Sequence, residues 1–416
     1  MNFKEALIDY GFSQEDVDYI CTKTNTRGVE RVQKTLRDYE IELGISKSEL
    51  KKMVLAAPGL LGFVVIPENQ DIASDTSVRT KIADYMQLLN LSKFEVINII
   101  KKFPQYLGFD TKSNAPTSLK SKITNLQCLL GFNNEEVVRF VKKYPQILAQ
   151  SIDPTSNSSL NSKIEAYAKL LNVPISSVVA MVRKLPQMLT LDINSTSKTA
   201  VKTKIEDYAK LLEISKFKVT ALIAKTPEML TYDVSSNAET SIKSKLEFYK
   251  RSLGVDSSVL GQMVAKCPVL LGLDTSSNSK TSVRSKLEVF GDFLTTEDII
   301  NNPIILTFPA MRTKLRFMIL ANCGIDRDKI VSNQNLMTSE QVMWGKVGLC
   351  KAKEIDFKYV TYPGKFFMDR YGFALSDLAE LFPLQNADIS NIEAEYNSRF
   401  NKKLNITQAE IEEILK

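Results

Sequence analysis

The chain has 416 residues, 44% apolar and 25% charged, with a formal net charge of +6 and no histidine. Such a length suits two or three globular domains or one extended array. The missing histidine excludes a Ser-His-Asp triad, a Cys-His pair and any His-ligated zinc or iron. Five widely spaced cysteines (Cys21, Cys128, Cys267, Cys323 and Cys350) form no zinc knuckle or disulfide framework, so reduced thiols in an intracellular protein are expected.

The first residues, Met-Asn-Phe-Lys-Glu-Ala-Leu, have neither an apolar signal core nor the Arg-rich, acid-poor character of an import peptide. No apolar run reaches the roughly 18 residues of a membrane span. Residues 3–25 read as a partial helical unit around Gly11-Phe12-Ser13-Gln14-Glu15-Asp16, and residues 27–61 as a fuller one ending at Pro58. A regular repeat follows. Lys81, Lys122, Lys163, Lys204, Lys245 and Lys286 are spaced by 41 residues, as are Pro104, Pro145, Pro186, Pro227 and Pro268. Each of these prolines, and Pro58 and Pro303 outside the register, has a leucine three residues on.

Residues 76–114 show one unit. Thr76-Ser77 offers an N-cap, and Val78, Ile82, Tyr85, Leu88 and Leu89 make a helical apolar stripe. After a break at Asn90-Leu91, the capping box Ser92-Lys93-Phe94-Glu95 opens a second helix whose stripe is Val96, Ile99 and Ile100. Pro104 stops that helix and starts a short turn, with Leu107 as its buried plug. A Ser/Thr/Asn-rich loop from Asp110 to Thr117 leads to the next unit. After Pro303 the period breaks. Met311 to Met337 keeps a helix pair with Gln334 where proline would stand, and the rest, including Tyr371-Gly372-Phe373 and the end Glu410 to Lys416, reads as a cap. The expected fold is all-α: a right- or left-handed solenoid of two-helix units, each with a short third turn, because such units bury their apolar faces only by stacking. Its expected divisions are a degenerate N-terminal part (1–75), the regular array (76–308) and a degenerate C-terminal part with its cap (309–416).

Charge bears on function. Residues 77–308 hold 30 Lys and Arg against 21 Asp and Glu, and within them residues 77–200 hold 16 against 8. A basic array favours a polyanionic partner. The column lysines lie near the start of each first helix, preceded two residues earlier by Arg79, Lys120, Lys202, Lys243 or Arg284 in all units but one, which has Asn161. Cations there oppose the helix dipole at a cost of roughly 0.3–1 kcal/mol each. A bound phosphate would remove that cost, and so would loop carboxylates such as Asp110, Asp192, Asp233 and Asp274; both readings are open. A second column, Lys102, Lys143, Lys184, Lys225 and Lys266, precedes each proline by two residues, where lysine also suits a helix C-terminus. Only the first three units double it, with Lys101, Lys142 and Arg183, which makes those the better phosphate candidates. Arg27, Arg31 and Lys34 share one helical face and read either as a phosphate stripe or as a solvated surface.

The residue after each proline varies (Gln105, Gln146, Gln187, Glu228, Val269), as a base-reading position or a drifting surface position would. Trp344 and the repeated Tyr85, Tyr167, Tyr208 and Tyr249 fall at core spacing, and the tyrosines read as packing and not as stacking platforms. Carboxylate pairs such as Glu135-Glu136 and Glu206-Asp207 have no recognisable catalytic partner, and no phosphate-binding Gly loop occurs. No catalytic residue, metal or cofactor is expected.

Units of the form [Ser/Asn]-x-x-x-Val-x-x-x-[Ile/Val]-x-Lys-x-Pro-x-x-Leu, best seen from Ser92 through Leu107 and from Asn133 through Leu148, resemble the mitochondrial transcription termination factor (mTERF) repeats. The resemblance covers roughly residues 3–385. It implies a left-handed superhelix of three-helix units with a basic groove for nucleic acid, usually duplex DNA, and a role in terminating or regulating transcription or in organelle RNA maturation. The expected protein is a monomeric, non-enzymatic nucleic-acid-binding solenoid that prefers duplex DNA and has no membrane partner. RNA binding and a protein-binding scaffold are the alternatives. A bacterial cytoplasm or nucleoid, or an organelle for a mature eukaryotic form, would suit it.

Overall fold

The computed structural model describes residues 2–24, 29–67, 76–115, 117–151, 159–331, 333–401 and 405–415. Among these, every regular element is an α-helix or a short 3-10 turn. The chain is an all-α helical-repeat protein. It divides into two compact units, residues 1–193 and 194–416. The cut falls inside the regular array and not at its ends.

In the first unit, helices Phe3–Tyr10 and Gln14–Lys23 precede four repeats, each a helix pair and a 3-10 turn. These are Val29–Leu43, Lys47–Ala56 and Pro58–Gly62; Val78–Leu89, Lys93–Lys102 and Pro104–Gly108; Leu119–Leu130, Asn134–Lys143 and Pro145–Ala149; and Leu160–Leu171, Ile175–Lys184 and Pro186–Thr190. The second unit opens with two repeats of the same form, Val201–Leu212, Lys216–Lys225 and Pro227–Thr231, then Ile242–Leu253, Ser257–Lys266 and Pro268–Gly272. A third, Val283–Phe290, Thr296–Asn301 and Pro303–Thr307, has a second helix of only 6 residues.

Local chemistry sets these bounds. The first helix starts where Ser77, Ser118, Ser159, Ser241 or Ser282 accepts, through Oγ, the N–H three residues on. Ala200 fills that place before helix Val201–Leu212 and supplies no side-chain cap. After twelve residues the first helix ends on a left-handed residue: Asn90, Gly131, Asn172, Glu213 or Gly254. The second helix ends because proline forces its predecessor out of the helical region; Phe103 has φ −145° and ψ 81°. Proline then sits at the start of the 3-10 turn, where its missing N–H costs nothing. The leucine plugs Leu61, Leu107, Leu148, Leu189, Leu230, Leu271 and Leu306 are all buried.

Beyond Thr307 the repeats degrade. Helix Ala310–Asn322 is buried along most of its length, and its Arg316 forms a buried ion pair with Glu340, which also binds Arg312. Gln334 falls in the short helix Asn333–Met337. Helix Glu340–Ala352 leads without a second helix to the 3-10 turn Phe357–Thr361, and helices Gly364–Tyr371, Leu375–Leu381, Asn386–Phe400 and Gln408–Leu415 complete the unit. Phe367, Leu378 and Leu349 form a small core there.

Candidate nucleic-acid interface

The lysine column turns inward. Lys81, Lys163, Lys204, Lys245 and Lys286 donate through Nζ to the carbonyls of Leu107, Leu189, Leu230, Leu271 and Leu306 at 2.5, 2.6, 2.7, 3.0 and 2.8 Å. Lys122 donates likewise to Leu148. Lys122, Lys204 and Lys245 also reach the carbonyls of Gln150, Tyr232 and Leu273. The acceptors are the plug leucines themselves. A 3-10 turn followed by extended chain leaves its last carbonyls without helical partners, and burial makes an unpaired carbonyl costly. The tyrosine four residues after the lysine serves the preceding carbonyl: Tyr85, Tyr167, Tyr208 and Tyr249 donate to Tyr106, Met188, Met229 and Leu270. Tyr39 does the same for Leu60.

In this arrangement the column lysines serve the carbonyls of the plug turns. Lys81, Lys122, Lys204 and Lys286 are buried, and burial lowers the pKa of all six column lysines. Asp110, Asp233 and Asp274 are not direct partners of the column lysines. Asp110, Asp233 and Asp274 accept N–H groups of the following loop residues, and they act on Lys81, Lys204 and Lys245 only as nearby charges. Aromatic rings help instead: the ammoniums of Lys81, Lys122 and Lys245 lie 5.3, 5.0 and 6.0 Å from the ring centroids of Phe63, Phe109 and Tyr232, each from the preceding repeat. Backbone N–H groups of Leu119, Leu160, Ile242 and Val283 already bond the carbonyls of Asp110, Ser151, Asp233 and Asp274, and the serine caps take the N–H two residues further on.

Lys346 extends this column where sequence spacing did not reveal it, donating to the carbonyls of Val360 and Tyr362 at 3.2 and 2.7 Å. Lysine and its first acceptor stand 26 residues apart in the full repeats, 20 at Lys286 and 14 at Lys346. The second helix shrinks and then vanishes between them. The signal that could have found Lys346 is a lysine placed before a buried Val360.

The doubled basics are also engaged. Lys101 pairs with Glu49, Lys142 with Glu95 at 2.6 Å and Arg183 with Glu136 at 3.7 Å. Each glutamate is the third residue of the preceding repeat's second helix, where it also closes the capping box. The Lys142 and Lys101 ammoniums, with the serine caps, hold the carboxyls of Glu95 and Glu49 down to about 2. Arg183 further donates to the carbonyls of Leu130 and Gly131. This ladder stops where Ser177, Lys218 and Val259 replace the glutamate and Ala224, Ala265 and Ile300 replace the basic residue. The doubled basics thus tie repeat to repeat.

The basic residues two before each column lysine are exposed, with varied surroundings. Arg79 pairs with the buried Glu42, which also binds Lys93. Lys243 donates to Asn237, and Arg284 lies over Phe248. Lys120 and Lys202 point to solvent. Arg31 and Lys34 are exposed on helix Val29–Leu43, and Arg27 lies outside the described residues. The remaining column behaves differently. Lys102, Lys143 and Lys184 in the first unit, and Lys225 in the second, are exposed at the last position of their second helices. Among the described residues none of the four has a hydrogen-bond or ion-pair partner. Lys266 donates weakly to Asn301 at 3.3 Å. Burial and capping have thus sorted the basic residues into a structural set and an outward one.

Stacked helical repeats with outward cations recurring in register define the class of this chain: an all-α repeat protein with a row of exposed lysines. The chain belongs to the mTERF family, whose profile, described as mTERF, matches residues 42–207 and 196–296. That is a family of nucleic-acid-binding helical repeats. Comparison with curated proteins gives no match. Among the described residues no helix is long and apolar enough to cross a membrane, and no cluster of His, Cys, Asp or Glu could hold a metal ion.

Proposed function

We propose that this protein binds duplex DNA as a monomer, without catalysis, and that such binding serves to regulate or terminate transcription. Lys102, Lys143 and Lys184 contact phosphates. The observation that carries the reading is that these three lysines, one per consecutive repeat of the first unit, are exposed and unpartnered among the described residues. The excess of 16 basic over 8 acidic residues between 77 and 200 supports the same region. Neighbouring repeats packed at about 10 Å spread the three ammoniums over about 20 Å, or roughly six base pairs.

Anisotropy titrations of a labelled duplex, and of matched single-stranded DNA and RNA, against salt test this. Three phosphate contacts give log K against log [salt] a slope of about −2.7 or steeper on the duplex. Changing Lys102, Lys143 and Lys184 together to Ala reduces the magnitude by about 2.7. Tighter binding to either single strand overturns the duplex preference, and the absence of salt-dependent binding to all three leaves a protein scaffold as the function.

A further inference from the structure

The first unit carries a second ladder beside the lysines. In three consecutive repeats the sequence at the end of the second helix is Lys-x-Pro-Gln, which sets Gln105, Gln146 and Gln187 three residues after Lys102, Lys143 and Lys184. Gln105 and Gln187 are exposed and Gln146 is half-buried. Lys102 and Gln105 open onto one continuous surface: Lys102 lines a small depression and Gln105 an adjoining groove of about 380 Å³, and Ala56 and Pro104 border both.

Gln105 is held in place. Its Nε2 donates to the carbonyl of Ala56, at the end of the preceding repeat's second helix, at 3.0 Å. That bond uses one of the two amide hydrogens and leaves one N–H donor and the Oε1 acceptor. A donor beside an acceptor on a planar amide matches the major-groove edge of adenine, which offers the N7 acceptor and the N6 donor. Gln146 and Gln187 occupy the position of Gln105 in the next two repeats, each three residues after its lysine. An ammonium and an amide therefore recur together in three consecutive repeats. In the second unit the pattern fails chemically, since Glu228 would repel a phosphate chain and Val269 can neither donate nor accept.

We propose that Gln105, Gln146 and Gln187 are specificity-determining residues that read adenines in the major groove, while the neighbouring lysines hold the phosphates. This rests on the duplex-DNA reading above. Discrimination of each adenine against a G·C pair at the same site is roughly 5- to 150-fold.

The experiment selects bound duplexes from a random pool with the full chain and with a variant carrying Gln105→Ala, Gln146→Ala and Gln187→Ala. Affinities are then measured for the selected duplex and for one with its enriched A·T pairs changed to G·C. The wild type is expected to enrich adenine at up to three positions, and the variant's preference ratio to fall to about 1. Circular dichroism establishes that the variant is folded. Enrichment without adenine, a ratio the variant keeps, or duplex binding with no base preference each overturns the proposal while leaving the phosphate reading standing. Failure of the wild type to bind any duplex removes both, and the salt slope of the Lys102, Lys143 and Lys184 variant reports on the phosphate reading separately.

Discussion

At the scale of single residues, the same side chain has two fates in this chain, and the difference is measurable. Lys122 is buried on the carbonyls of Leu148 and Gln150, whereas Lys143 ends its helix in solvent. Lys122→Met strands a buried carbonyl and is expected to cost about 1–3 kcal/mol of stability in urea unfolding, with no change in the salt slope of the folded protein's DNA binding. Lys143→Ala should leave stability within about 0.5 kcal/mol and reduce the slope by about 0.9. An exchange of these signatures would return Lys122 to the interface. Lys346 gives a pH test. Burial pushes its ammonium down to about 8 from an ordinary value of 10.5. Between these values the folded chain binds fewer protons than the unfolded one, so this lysine's contribution makes stability rise with pH across that window, by up to about 3 kcal/mol. Cys350, pushed by burial from 9.0 to about 11, acts in the opposite sense above pH 9. The gap in stability between wild type and Lys346→Met isolates the lysine: it should shift in the wild type's favour from pH 8 to 10.5, and a flat gap would refute the shift.

At the scale of elements, the ends of the helices are the points where one repeat differs from the next. Glu213 closes helix Val201–Leu212 with φ 52°, a left-handed conformation that Gly131 and Gly254 adopt at the same repeat position without a Cβ penalty. Glu213→Gly should stabilise the protein by about 1 kcal/mol, read as a rise in the urea midpoint at constant m. The converse holds at Gly261, whose added Cβ would meet the carbonyl oxygen of Leu212 at 2.2 Å. The second helix Ser257–Lys266 lies against the end of helix Val201–Leu212 there, and even Gly261→Ala forces that contact apart. The plugs carry more: Leu148→Ala should cost about 2–5 kcal/mol. The inter-repeat pair of Lys142 and Glu95 is about two-fifths exposed on both sides. A double-mutant cycle on it should return only about 0.2–1 kcal/mol, and a larger coupling would mean that the ladder, more than the plugs, joins the repeats.

Over the whole molecule, outward charge is unequal between the units. Lys102, Lys143 and Lys184 of the first and Lys225 of the second have no partner among the described residues, but Lys225 has a carboxylate, Glu228, three residues on in sequence, and Lys266 bonds Asn301. Reversing the three lysines of the first unit to Glu should weaken duplex binding more than reversing Lys225 and Lys266, by more than the ratio of three charges to two. Losses in simple proportion to the charges would mean that both units meet DNA alike. The regional excess of basic residues does not decide this alone, because the buried column and the capping-box ladder use part of it.

The 41-residue period, the helix pairs, the proline stops and the leucine plugs were all legible in the sequence, because helix caps, apolar stripes and proline act locally and recur in register. What the period could not tell was why a lysine stands at a dipole-unfavourable place in each of the six repeats from Val78 to Thr307. The answer is a carbonyl 26 residues away in the chain, left unpaired by a 3-10 turn and brought to the lysine only when the two helices fold back on each other. Nor could spacing separate Lys142 from Lys143, adjacent in sequence, since one reaches Glu95 of the preceding repeat and the other does not. Lys346 escaped notice because its second helix is gone and a valine replaces the plug. Local chemistry therefore determined the elements and their repetition, and tertiary packing decided which cations are buried as caps and which face outward, because burial depends on neighbours that no single repeat contains.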